Sequence, residues 1–346
     1  MPMSSLQERD IQLLENFIVE ASSICITAHA HPDGDALGST AALRRFLKLC
    51  RGKDAVVVLP DSIPDNLAFI TDKASTLVFS DAPDESARAI MSADLIFCLD
   101  FCHFTRTGGE APLLEASSAR KVLIDHHDGP DEKDFDLVFS CTRISSASEL
   151  LYSILKMMEQ SLPVEVGTPL MTGMTTDTNN FANSVFPSTL GMASDLLAAG
   201  VDRDAILFEL YNRFRINRLK AMERFLSKLR VTPCGAAYAV FRREEMEELD
   251  IAEGETEGFV NLPLSVDNVR LSIFLKEDNG HFRVSIRSRK GTSALTLARS
   301  SFNGGGHECA SGGKLFYPGD IPDRDGAEEY IENVTARFMQ NRAPEE

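Results

Sequence analysis

Short apolar runs that each end in polar or turn residues, separated by helix-like stretches, constrain this chain more than any other feature. Residues 24–27, 55–59, 76–79, 95–99 and 122–124 have strand length and are rich in Val, Ile and Leu. Between them, residues 36–50 and 84–91 carry apolar side chains at helical spacing. Near-continuous apolar strands are buried on both faces, and strands that alternate with helices pair in parallel. The expected fold class is therefore α/β, a mostly parallel sheet with helices on both faces.

The residues with chemistry in them cluster just beyond these runs. His29-Ala-His31-Pro-Asp33-Gly-Asp35 follows the first, Asp100 closes the fourth, and Asp125-His126-His127 closes the fifth. Ligands of open parallel sheets bind outside the carboxyl ends of the strands, so three segments can deliver side chains to one crevice. Pro32 and Gly34 tighten the first segment into a turn, where carboxylates at i and i+2 can face different cations. Asp177, in Thr175-Thr176-Asp177-Thr178 at the end of a helix predicted from 165 towards 176, is a fourth contributor. Each segment alone also reads as a helix cap (Asp35 for the helix that follows it) or a polar loop; their convergence points to metal. Asp33, Asp35, Asp100 and Asp177 carry four negative charges, which two divalent cations would neutralise. Without cations some of these carboxylates would take up protons. Oxygen ligands mixed with imidazole suit manganese or magnesium rather than a thiolate zinc site.

At 346 residues the chain is long for one core, and two domains are expected. A helix is predicted over 5–21 with Ser4 or Ser5 as its cap, and another over 146–160 with Glu149 in its first turn. Residues 188–230 read as helices broken at Gly200. The first domain is set at 1–190, a helical connector at 191–230, and a smaller mixed α/β domain at 231–346. In that last part, strands at 236–241, 270–275 and 281–287 precede a helix over 292–301, a glycine cluster and a helix over 327–339. Gly304-Gly305-Gly306-His307 can bring successive N–H groups close to an anion. A helix starting near His307 would add its own field. Arg287 and Arg289 lie upstream and favour phosphate binding over a merely solvated strand edge. Phe181, Phe186 and Phe302 are candidates either for stacking a base or for core packing.

A net charge of −17 suits a short anionic substrate gripped at one site better than a long duplex, whose binding needs many Lys and Arg contacts. Seven scattered cysteines without a Cys-x-x-Cys pair fit a reducing compartment. No apolar stretch reaches membrane-spanning length and the N-terminus has no signal-like apolar region, so a cytoplasmic protein with no membrane partner is expected.

Taken together, these motifs resemble the DHH phosphoesterases, a family named for the motif seen here as Asp125-His126-His127. The resemblance runs through His29–Ala36, Asp100 with Arg106-Thr-Gly108, Thr176-Asp177-Thr178, and in the last part Arg287-Ser-Arg289 and Phe302–His307. Within the family a two-domain chain of this length looks most like the nanoRNase and 3′-phosphoadenosine-5′-phosphate (pAp) phosphatase group. The resemblance implies one cation on His29, Asp33 and Asp100 and a second on Asp35, Asp100, His126 and Asp177, with Asp100 shared. It implies that His127 contacts the scissile phosphate, that Asp125 orients a neighbouring imidazole, and that Arg287, Arg289, Gly304, Gly305, Gly306 and His307 bind substrate across the two domains. Arg106 joins the substrate residues. His31 stands where many members have Asn, which assigns it to substrate or to a supporting role rather than to metal. Asn303 stands where a further glycine is common.

The expected activity is two-metal hydrolysis of short single-stranded RNA to mononucleotides, and of pAp, by a homodimer. Linear or cyclic dinucleotide hydrolysis and exopolyphosphatase activity are the competing enzyme readings. A nucleotide-binding sensor is the competing non-enzyme reading.

Overall fold

The structure, a computed structural model, describes residues 6–252 and 254–340. Ser4 and Ser5, expected as caps of the first helix, lie outside those residues. The chain divides into two compact units, Met1–Arg213 and Phe214–Glu346.

The first unit contains α1 (Glu8–Glu20), β1 (Ile24–Thr27), α2 (Gly34–Arg51), β2 (Ala55–Leu59), β3 (Thr76–Val78), α3 (Pro83–Ser92) and β4 (Leu95–Leu99). It continues through α4 (Ala111–Ala116), β5 (Arg120–Asp125), β6 (Leu137–Ser140), α5 (Ala147–Met158), α6 (Val164–Asp177), α7 (Pro187–Ala198) and α8 (Arg203–Leu207). Its six strands are all parallel, in the order β3-β2-β1-β4-β5-β6. The apolar runs form strands because both faces are covered. Ile24, Ile26, Phe97, Leu99 and Ile124 pack with α1, α2, α5 and α6. The alternate residues Cys25, Ile96, Cys98 and Leu123 pack with α3 and α4. The strand order reverses at the β1–β4 pair, where a parallel sheet opens a crevice at its carboxyl edge.

Helices α2 and α6 approach closely because glycines face each other. A Cβ on Gly38 would lie 2.5 Å from the Pro169 carbonyl oxygen, and one on Gly173 would lie 2.8 Å from Asp35 Oδ1. This contact brings the C-terminal end of α6 beside the N-terminal end of α2, and so Asp177 towards Asp35.

The second unit contains α9 (Ile216–Lys228), β7 (Arg230–Val231), β8 (Ala236–Phe241), α10 (Arg243–Glu248), β9 (Leu271–Asp278), β10 (His281–Ser288), α11 (Ala294–Ser301), β11 (Gly305–Gly306), β12 (Ala310–Phe316) and α12 (Ala327–Gln340). The strands form one mixed sheet, β11-β12-β10-β9-β8-β7, in which only the β8–β9 pair is parallel. Ala221 and Phe225 of α9 pack against Phe241, Phe259 and Phe274, while α11 and α12 cover the other face. The segment 191–230, expected as a helical connector, is divided between the units: α7 and α8 belong to the first and α9 to the second. Phe302 is fully buried beneath α12 and is a core residue, not a base-stacking one.

Candidate metal centre

Four segments deliver side chains to the carboxyl edge of the first sheet. Asp33 is the N-cap of α2, its Oδ1 accepting from the amides of Asp35 and Ala36 at 3.0 and 3.1 Å. The cap is thus Asp33 and not Asp35. Asp35 is instead fully buried, and its two oxygens accept from the Ala147 and Ser148 amides at 2.6 and 2.9 Å. Those amides belong to the first turn of α5, where N–H groups have no partner within the helix, and this N-terminus favours an anionic partner. Asp100 follows β4 with φ at 63°, a turn that stops the strand and keeps its amide on the Ile124 carbonyl at 3.1 Å.

The side chains converge. His29 Nε2 lies 3.4 Å from Asp100 Oδ2 and 3.8 Å from Asp33 Oδ1. His126 Nε2 lies 3.4 Å from Asp100 Oδ1, 3.3 Å from Asp177 Oδ2 and 4.0 Å from Asp35 Oδ2. Among the described residues, three groups could each hold an ion with ligand atoms within 4.8 Å of one another: His29, Asp33 and Asp100; Asp35, His126 and Asp177; and Asp100, His126 and His127. Asp100 takes part in two of them. Its Oδ1 is buried and makes no hydrogen bond, although His126 and His127 face it at 3.4 and 3.7 Å. An acceptor left in that state is costly unless something positive reaches it. The donor set therefore fits divalent cations.

Electrostatics give the same reading. Burial works against the charged ring of His29, but Asp100 and then Asp33 outweigh it and raise its pKa to about 9. His126 behaves alike, raised to about 10 against its burial by Asp100, Asp177 and Asp35. Burial and the charge of Asp100 raise Asp35 to about 7. Asp177 is raised well above the usual carboxylate range by burial and by Asp35, Asp33 and Asp100. Asp100 is held far below that range despite burial, because His126 and His29 both face it. In the absence of cations the cluster recruits protons, as crowded buried carboxylates must.

His127 Nδ1 is 2.7 Å from Asp125 Oδ1. Asp125 is fully buried, so the contact fixes the tautomer and direction of the His127 ring. The orienting carboxylate thus serves His127 rather than His126. His31 stands apart from the cluster. Its side chain is 83% exposed, and its amide and Nδ1 face Asp61 Oδ2 at 2.7 and 3.4 Å. Arg106 is exposed, and its carbonyl accepts from the Ala30 amide at 2.7 Å.

In the second unit, Arg287 lies opposite Ala310 in the β10–β12 pair, beside the hairpin that carries His307. Burial lowers its pKa. Arg289 does other work: its guanidinium donates to the carbonyls of Leu264, Val266 and Asp267 at 2.9, 3.1 and 3.2 Å. No helix starts at His307. Gly305–Gly306 pairs with β12 as a short strand, and the His307 amide donates to the Ala310 carbonyl at 2.8 Å. A Cβ on Gly304 would lie 1.9 Å from the Gly312 oxygen, and one on Gly306 2.7 Å from the Ala310 oxygen. Those two glycines are needed for hairpin packing, and Gly305 alone has open space around it.

Sequence reasoning missed the supports of the first loop and of Asp35. The Ser146-x-x-Glu149 spacing marks the α5 N-terminus, but nothing local says that Asp35 will meet it. Asp61, just past β2, carries no motif.

Comparison with known proteins follows the same division. Residues 23–175 match the DHH family, N-terminal domain, and residues 235–332 match the DHHA1 domain. The bifunctional oligoribonuclease and PAP phosphatase NrnA of Thermus thermophilus is 30% identical over 84% of this chain and 84% of its own length. Its Bacillus subtilis counterpart is 26% identical over 87% and 92%. A solved exopolyphosphatase-related protein from Bacteroides fragilis shares 33% identity with a TM-score of 0.91, covering 97% of this chain and 98% of its own.

Proposed function

The chain belongs to the DHH family, and we propose that it is a two-metal phosphoesterase that hydrolyses short oligoribonucleotides to mononucleotides and removes phosphate from pAp. The observation that carries the reading is the buried Asp100 carboxylate, faced by His29 on one oxygen and by His126 on the other. His29, Asp33 and Asp100 would hold one divalent cation, and Asp35, Asp100, His126 and Asp177 the other, with manganese preferred for this oxygen–imidazole set. Bound there, such cations supply Lewis acidity towards phosphoryl oxygens and lower the pKa of water.

The chain's own groups do the rest. Asp33 and Asp35 are held by helix N-termini, so their oxygens are positioned before substrate arrives. His127, oriented by Asp125, offers its ring to a phosphoryl oxygen and stabilises charge as it develops there. Arg287 and His307 are the proposed nucleotide contacts of the second unit. The relatives named for both activities on short RNA and pAp support this substrate class.

The test is hydrolysis by purified protein with manganese, on di- to pentaribonucleotides, pAp, linear and cyclic dinucleotides, and polyphosphate. Release of mononucleotides from short RNA and of phosphate from pAp, abolished by EDTA and by Asp100→Ala, is the expected result. Turnover of polyphosphate alone would overturn the substrate assignment. No turnover of any substrate would favour a nucleotide sensor.

A further inference from the structure

The first ligand loop holds a strained residue whose strain has an identifiable owner. His31 adopts φ 55°, a left-handed conformation that is strained for a non-glycine residue. The loop therefore needs something to keep it there. Asp61, immediately beyond β2 and the neighbouring Pro60, accepts from the His31 amide at 2.7 Å. The same oxygen faces His31 Nδ1 at 3.4 Å.

That amide belongs to the Ala30–His31 peptide, and the opposite side of the same peptide meets His29. The Ala30 carbonyl lies 2.9 Å from His29 Nδ1. A carbonyl accepts, so Nδ1 carries the proton and Nε2 is the nitrogen turned towards Asp100 and Asp33 at 3.4 and 3.8 Å. A planar peptide is rigid; holding its N–H fixes the direction of its C=O. A second tether, from the Ala30 amide to the Arg106 carbonyl at 2.7 Å, holds the preceding peptide.

We propose that Asp61 is a positioning residue for His29: through the Ala30–His31 peptide it sets the tautomer and direction of that imidazole, and so the affinity of the cation site that His29 serves. The inference rests on the proposed metal reading. Groups that orient a ligating histidine through its other ring nitrogen tune metal affinity by about 10- to 100-fold. Asp61 acts one hydrogen bond further out, and the lower part of that range is expected.

Calorimetric titration of the full chain with manganese alone tests it. Asp61→Ala should weaken one of two classes of site by about tenfold and leave the other within about threefold, with metal-free melting little changed. Asp61→Asn keeps an acceptor oxygen and should bind within about threefold of the unaltered protein. In a His31→Gly background, where positive φ is unstrained, Asp61→Ala should cost clearly less than it does alone. Equal weakening of both classes, no weakening, or an Asp61→Asn loss as large as that of Asp61→Ala would each overturn the proposal. If the unaltered protein binds no manganese, the metal reading fails and this inference with it.

Discussion

Metal binding should expel at least two protons per chain, one from each ligating imidazole, and the number follows from the ion pairs at the site. With no cation bound, His29 and His126 have pKa values raised from 6.5 to about 9 and about 10. At about pH 7.5 both rings are then mostly protonated. An imidazole must be neutral to ligate, so each gives up its proton when a cation arrives. Asp35, raised to about 7, adds about a quarter of a proton at that pH. The sign is fixed by the direction of the shifts. Groups whose pKa is raised hold protons until the pH climbs through 9 to 10, so acid favours the metal-free state. The product of the two binding constants should therefore rise at least about 100-fold per pH unit between about pH 7 and 9, or ~2.7 kcal/mol. Manganese titration in buffers of different ionisation enthalpy reads the proton count directly as a slope. The same pairs stabilise the metal-free fold below about pH 6.5 and are lost as pH rises through 9 to 10, so metal-free melting should fall over that window. A binding enthalpy independent of buffer at pH 7.5 would mean that both rings are neutral before metal arrives, and the ion-pair account would be wrong.

Asp100→Asn should remove the carboxylate shared by two ligand groups and lower turnover by about a thousandfold or more, equivalent to several kcal/mol; manganese stoichiometry and single-turnover rates check it. Arg287→Ala should raise KM for short RNA by about tenfold, whereas Arg289→Ala should leave KM unchanged and lower stability by about 1–3 kcal/mol, because its guanidinium holds three backbone carbonyls. Glu110 is fully buried with one unpartnered oxygen, and burial, partly offset by Thr27 and reinforced by Asp61, raises its pKa from 4.5 to about 8. A raised carboxyl costs the fold nothing in acid and progressively more as pH climbs from 4.5 to 8. Glu110→Gln should therefore gain on the unaltered metal-free protein by about 1.4 kcal/mol per pH unit across that window, measured by urea unfolding; a constant gap would refute the shift.

What the sequence made legible is local. Each expected metal residue lies within a few positions of a strand end or helix end, where an apolar run stopping at Asp or His is visible on its own. The rule that parallel sheets gather such ends into one crevice did the rest, and His29, Asp33, Asp35, Asp100, His126 and Asp177 do meet. The fold class was legible for the same reason, since doubly buried strands need no partner to be recognised. Features that depend on distant backbone were not legible. The amides that hold Asp35 lie 112 and 113 residues away, and backbone amides have no sequence signature. Gly38 and Gly173 are ordinary helix residues until the two helices touch. The glycines at 304 and 306 read as an anion cradle, and nothing in their composition says that they also pack closely against a neighbouring strand.

Asp35 shows why this site needs cations and not only carboxylates. Two amides of the α5 N-terminus already donate to it, an arrangement that by itself stabilises the charged form and lowers a pKa. Its pKa is nonetheless raised to about 7, because burial and the charge of Asp100 outweigh those donors. Two amides at a helix N-terminus thus do not offset burial, and the carboxylate remains short of positive charge. His126 is the nearest cation, at 4.0 Å, but it is shared with Asp100 and Asp177 at shorter distances. Protons can fill the deficit, at the expense of the ligand set. A divalent ion fills it while keeping every oxygen available, which makes the metal part of the electrostatic balance of the folded sheet edge as well as of the chemistry proposed for it.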